Sequence, residues 1–399
     1  MESTALARYA DAIVSEGLRI SAGDLLAIHG EPAHRELMVA LTAAGYRAGA
    51  RHVDVLTLDP RVTRARALGA PTDSLDWRPA WEDDRMCSLI TENAGIVWLN
   101  GSEEPDLLAD VPAAAGATRV FERPGIGPYR AAVSAATARF VVAACPTPAW
   151  ASSIYPERSP EDAVAALWTD LFSFARLEPG DPADGWARHA AMLEQRAASL
   201  SERGLRSLRL RDAHTDLRLM LPDGVLWQGG RLRAGPLSYS PNIPTEEVFT
   251  SPDPLATEGV FRCSRPLEID GRVINGIHGS FANGSLTRVD AEREADAEFL
   301  RATFARDPGA GRLGEVALVD AASRVGRTGR SYRTTLLDEN AASHIAFGFG
   351  FGFCRTLGAD APNASGIHID VMIGTTEMEV TAVDREGVEH AVMAGGEFR

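Results

Sequence analysis

The chain has 399 residues, 45% hydrophobic content, and 40 basic against 55 acidic residues for a formal charge of -15. It is long enough for two or three domains and too acidic to favour nucleic acid or an anionic membrane surface as a partner. Every basic residue is arginine, so the chain cannot form a Schiff base, hold pyridoxal phosphate covalently or supply the lysine of a phosphate-binding loop.

Residues 2–17 carry apolar and charged positions at helical spacing, and Ser21 to Asp24 make a turn. DLLAIHG (24–30) then reads as a buried strand, residues 31–50 as a helix and HVDVLTLD (52–59) as a second strand. A strand, helix, strand order implies a parallel sheet flanked by helices. GIVWLN (95–100) and RFVVAACP (139–146) extend that sheet. His29 and His34 fall at its first strand-to-helix junction, with no GxGxxG beside them to mark a dinucleotide site. Residues 160–204 read as two helices broken at Pro179-Gly180-Asp181-Pro182.

Beyond Leu205 the texture changes to short alternating runs such as SLRLRD, DLRLML, SLTRVD and EMEVTAVD, bounded by Gly, Pro, Asn and Asp. That pattern predicts an antiparallel, β-rich domain, interrupted by one helix at 290–306 and a second carrying His344. The expected organisation is therefore an α/β domain over 1–205 and a β-rich α+β domain over 206–399. No run approaches the ~18 uninterrupted apolar residues of a membrane span. The N-terminal stretch is acidic and amphipathic, so a cytoplasmic protein is expected. Cys87, Cys145, Cys263 and Cys354 form no CxxC and are expected as reduced thiols.

The chemistry concentrates after residue 240. In GIHIDVMI, Ile367, Ile369 and Val371 alternate with His368 and Asp370, so a strand there points the imidazole and the carboxylate to one face, within reach of one ion. His344 is expected one turn inside a helix that opens at Asp338 and Asn340. In PNIPTEEVFTSPDP only one of Glu246 and Glu247 can face a given site, and Glu315 opens a Val/Ala/Leu strand. Several buried carboxylates and two histidines without lysine would cost several kcal/mol per unpaired charge. Two divalent cations about 3.5 to 4 Å apart offset that cost, and O and N donors without thiolate suit zinc, manganese or cobalt. GFGFGFC (348–354) reads as an aromatic pocket wall rather than a nucleotide loop. The absence of HExxH and GxSxG argues against zincins and α/β-hydrolases.

Taken together and in this order, PNIPTEEVFTSPD, GRLGEVALV, TLLDENAASHIAFG and the HID of GIHIDVMIG resemble the motif set of the aminopeptidase T family of metallo-aminopeptidases, which includes AmpS and PepS. RYADAIVSEGL and the Trp150 to Pro156 segment extend the resemblance over almost the whole chain. It implies a β-rich domain with two co-catalytic divalent ions, a homodimer enclosing the site, and peptide or small amide substrates. Its ligands would be Glu247, Glu315, His344, His368 and Asp370, with Glu246 as acid/base candidate. Seven residues past His344, where the family is expected to have a tyrosine near the metals, this chain has Phe351, the substrate-binding candidate. The same scaffold is similar to that of iron-dependent dihydroxypyridine dioxygenases, where His344, His368 and Asp370 would form the triad. A metal-binding protein with lapsed catalysis is the third reading.

Overall fold

Four short apolar runs form parallel strands: β1 (Leu25–Gly30), β2 (His52–Thr57), β3 (Gly95–Asn100) and β4 (Arg139–Ala144). The sheet runs β4-β3-β1-β2, with the short strand Asn242–Ile243 added beside β4 in parallel register. β1 is followed in sequence by β2 on one side, while β3 lies on its other side. The winding therefore reverses between β1 and β3, the position at which an open α/β sheet leaves a crevice beyond its strand ends. Helices fill the intervals, among them Arg35–Arg47, Ala80–Thr91 and Ile126–Ser134. Arg139 enters β4 buried because its guanidinium donates to the Leu18 and Asn93 carbonyls and to Asp24.

The computed structural model describes residues 3–108, 110–111, 120, 122–181, 184–269 and 272–399. The chain divides into two compact units, one of Met1–His189, Arg231–Pro244 and Asp270–Arg272, the other of Ala190–Gly230, Thr245–Ile269 and Val273–Arg399. Residues 190–204, expected with the first domain, count with the second unit, and 231–244 return to the first because Asn242–Ile243 pairs with β4. The two helices expected over 160–204 are Pro160–Phe174 and Gly185–Glu202; Pro182 in the break lies outside the described residues. Among the described residues no helix is long and apolar enough to cross a membrane.

The second unit is β-rich, with an eight-stranded and a five-stranded sheet. Its helix Glu294–Phe304 lies within the interval expected for one. The second expected helix is a correction. His344 lies on a strand, His344–Gly348, and helix is confined to the single turn Thr335–Asp338. Asp338 does not cap a longer helix; its carboxylate turns back to accept the Tyr332 and Thr334 amides. The five residues of the His344 strand are all buried, so they show no alternation that would distinguish strand from apolar helix.

Candidate metal centre

The five-stranded sheet holds, side by side, the strands His368–Met372, His344–Gly348, Leu313–Val319 and Glu247–Thr250, with Gln228–Gly229 at the edge. Alternation sorts its two faces. Val248, Val316, Leu318, Ile345, Phe347, Ile369 and Val371 enter the hydrophobic core. Glu247, Glu315, His344, His368 and Asp370 take the other face. Antiparallel register places Glu315 opposite Ala346 and Ala346 opposite Asp370, while His344 stands opposite Ala317 and His368 opposite Gly348. Small residues thus occupy the positions between the polar side chains and leave room at the centre of the face.

Glu315 owes its direction to a bulge. Leu313 pairs with Phe347 and Glu315 with Ala346, with Gly314 as the extra residue. Leu313 and Glu315 would share a face in a regular strand, yet Leu313 is in the core. A Cβ on Gly314 would run into the carbonyl oxygens of Gly348 and Phe349. Gly314→Ala is expected to cost about 1–3 kcal/mol of stability and to weaken metal retention. Denaturant melts and elemental analysis check this, and an unchanged variant would show that the bulge does not aim Glu315.

The ligand-type atoms form two groups, Glu247, Glu315 and His344, and Glu315, His368 and Asp370, each within 4.8 Å internally, with Glu315 common to both. His344 Nε2 is 3.3 Å from Glu247, and His368 Nε2 is 3.2 Å from Glu315 and 3.3 Å from Asp370. On their far sides the Nδ1–H of His344 donates to the Ala342 carbonyl and that of His368 to the Phe349 carbonyl. This fixes which nitrogen faces the site, as backbone carbonyls do for metal-bound histidines. A neutral Nε2 then offers a lone pair to carboxylate oxygens, and two acceptors at that distance need a proton or a cation between them.

Electrostatics give the same picture. Burial opposes charge on both imidazoles, but hydrogen bonds and charges of the carboxylates outweigh it: Glu247 leads in lifting His344 to about 10, and Asp370 leads in raising His368 well above its ordinary value. Burial, then the charges of Glu247 and Asp370 against the His368 hydrogen bond, pushes Glu315 up to about 7. Asp370 is held low by His368 against the burial that would raise it. Without a cation the cluster recruits protons. Buried carboxylates paired with imidazoles aimed by carbonyls are a donor set that fits divalent ions of the zinc, manganese or cobalt kind.

Glu246 lies outside both groups. Its amide donates to Asn340 Oδ1 at 2.6 Å, immediately before the Glu247 strand. Sequence reasoning passed over Glu339. Burial, and then the charges of Glu247 and Asp370, push its carboxyl well above the ordinary range, with His344 and Glu315 also acting on it. Its signal, an acid five residues before His344, is masked in sequence because Asp338-Glu339-Asn340 reads as a helix cap. Phe351 borders the site with its ring 5.2 Å from that of His368, among Phe249, Phe349 and Phe353.

The chain matches the thermophilic metalloprotease (M29) profile over residues 2–398. It is 33% identical over 405 residues to aminopeptidase T of Thermus thermophilus, covering 98% of each chain. Among solved structures it superposes on wild-type AmpT from Thermus thermophilus with a TM-score of 0.86 at 32% identity, covering 99% of both chains. It also shares its fold with 2,5-dihydroxypyridine dioxygenase from Pseudomonas putida KT2440, with a TM-score of 0.54 at 13% identity over 100% of this chain and 98% of that one.

Proposed function

The chain belongs to the thermophilic metalloprotease (M29) family, and from that membership we propose that it is a dinuclear aminopeptidase-type hydrolase of small peptides or aminoacyl amides. Glu247, Glu315, His344, His368 and Asp370 would hold two divalent ions, of zinc, cobalt or manganese. The observation that carries the reading is Glu315, the one carboxylate that belongs to both groups. Divalent ions bound there supply Lewis acidity toward an amide carbonyl and toward water. The carbonyl-anchored imidazoles keep their Nε2 atoms aimed at the site while substrate enters and product leaves. A carboxylate accepts a proton from the attacking water and returns it to the leaving amine nitrogen. For this we favour Glu339, whose carboxyl is raised well above the ordinary range by burial and the charges of Glu247 and Asp370, over Glu246. Phe351 points to a small or specialised amide rather than general peptides. The chain would act as a homodimer in a cytoplasmic setting.

The dioxygenase reading needs His344, His368 and Asp370 on one iron. The two histidines fall in different groups, and Glu247 and Glu315 would be superfluous to such a triad. Both favour the hydrolase. The test is elemental analysis of chain purified without chelator, paired with hydrolysis of aminoacyl amides. About two ions of zinc, cobalt or manganese per chain, and amide hydrolysis abolished by chelation, are expected. A single iron with oxidation of a dihydroxypyridine would overturn the proposal. In the same assay Glu339→Gln is expected to lower kcat by about 10²- to 10⁴-fold with metal content kept, and Glu246→Gln to lower it less. The reverse order would return the proton-carrying role to Glu246.

A further inference from the structure

The first unit has a crevice of about 200 Å³ beyond the carboxyl ends of β1, β2 and β3, lined by residues of those ends and of the loops that follow them. Its position is the reversal point between β1 and β3, where open α/β sheets take ligands. No residue of the metal centre contributes to it.

The most buried polar side chain in its lining is His29, 1% exposed, at the end of β1. The His29 ring packs on Trp98 with centroids 4.1 Å apart. Arg85, itself paired with Asp54, lies with a guanidinium nitrogen 3.0 Å from His29 Nε2. An arginine only donates, so Nε2 accepts and the ring proton sits on Nδ1. Burial, then Arg85 and Arg123, lowers the imidazole to about 3, so the ring stays neutral in that tautomer at physiological pH. The Nδ1–H is buried and finds no hydrogen-bond partner among the described residues. A buried donor without an acceptor carries a penalty that a ligand oxygen removes.

The charges around it are of both signs. Arg123 lies over the Trp98 indole, 4.8 Å from the ring centroid, and donates to Asn100. Glu31 and Glu122 belong to the lining of the same crevice, the Glu31 carboxylate also accepting from the Glu103 amide, with Leu58 and Leu99 as apolar wall. A simple anion would meet the two glutamates, and a simple cation would meet Arg123. A nucleotide is too large for the space and finds no phosphate loop. A small zwitterion with an apolar body meets every part of this lining.

We propose that the crevice binds a free amino acid with an apolar side chain, its carboxylate on Arg123 and the His29 Nδ1–H, its ammonium on Glu31 and Glu122, and its side chain against Leu58 and Leu99. The site shares no residue with the metal centre and does not depend on how that centre is read.

The experiment is calorimetric titration of the full-length, metal-loaded chain with L-leucine, beside N-acetyl-leucine, which lacks the ammonium, and isoamylamine, which lacks the carboxylate. Saturable leucine binding is expected, weakened about tenfold or more by Arg123→Gln and by His29→Phe, with both comparators weaker than leucine by a similar factor. His29→Phe keeps the ring on Trp98, and Arg123 is exposed, so Arg123→Gln remains informative even if the core variant folds poorly. Absence of saturable binding overturns the proposal. So does leucine binding that survives both variants and is lost in His368→Ala, which would place the amino acid at the metal centre, and so does equal binding of N-acetyl-leucine.

Discussion

Glu315→Gln is expected to strip the chain of most of its metal at both positions and to reduce amide hydrolysis by on the order of a thousandfold. Glu315 is the only residue common to both ligand groups. The amide keeps the shape of the carboxylate but loses the charge that would balance the two proposed dications. Removing one electrostatic stabiliser from an active site costs about 10²–10³ in rate, and loss of the ions themselves removes more. Folding and metal loss are separable by the sign of the effect on stability. The folded pKa of Glu315 is raised from 4.5 to about 7, so its stabilising, protonated form is complete below the unfolded value and is lost as pH rises through the folded one. Near pH 8 the metal-free parent carries that loss and the glutamine variant does not. The metal-free variant should therefore melt no lower than the metal-free parent, while the metal-loaded parent melts above both. A variant that retains two ions and parental activity would remove Glu315 from the centre of the mechanism.

What the sequence makes legible follows from which physical signals are local. GIVWLN and SLTRVD become strands over the residues predicted, because β-branched and apolar runs bounded by turn residues have few alternatives. His368 and Asp370 reach one face because a period of two is a property of the strand alone. The Glu246-Glu247 alternative also rests on that period, and pairing of Glu247 with Val319 across the sheet places its side chain beside His344. The His344 strand is different. Its residues are buried on both faces, so helix and strand leave the same apolar trace, and Ala341-Ala342 tips the local preference toward helix. Only the neighbouring strands decide it. The Gly314 bulge is also tertiary, since it exists to turn Leu313 to the core and Glu315 to the site, and a single glycine carries no such message. The return of Asn242–Ile243 to the first sheet spans about a hundred residues from β4 and has no local signature. Glu339 needs the folded cluster around it before its burial becomes visible.

Phe351→Tyr is expected to raise kcat toward aminoacyl amides by about a hundredfold, the reverse of the usual penalty for losing one oxyanion donor. The phenylalanine ring stands in the wall of the site, 5.2 Å from the His368 ring and stacked 5.0 Å from Phe353, with its backbone amide held by Ser251 Oγ at 2.9 Å. The backbone and ring are thus held in place, and the substitution adds one oxygen to a partly exposed aromatic at little cost in packing. If the hydroxyl donates only when charge develops on the substrate oxygen, kcat and kcat/KM rise together while KM changes little. A fall in KM alone would mean that the hydroxyl binds the ground-state amide. Tyr239, which lies close in sequence to the Glu247 segment, does not supply a substitute hydroxyl, because its own donates to the Ala138 carbonyl at 3.1 Å. If the variant gains nothing on a panel of amides while metal content stays at two ions, the aromatic wall is already matched to its substrate. The natural substrate would then be one whose transition state needs no donor from that side, such as an amide with its own neighbouring hydrogen-bond donor.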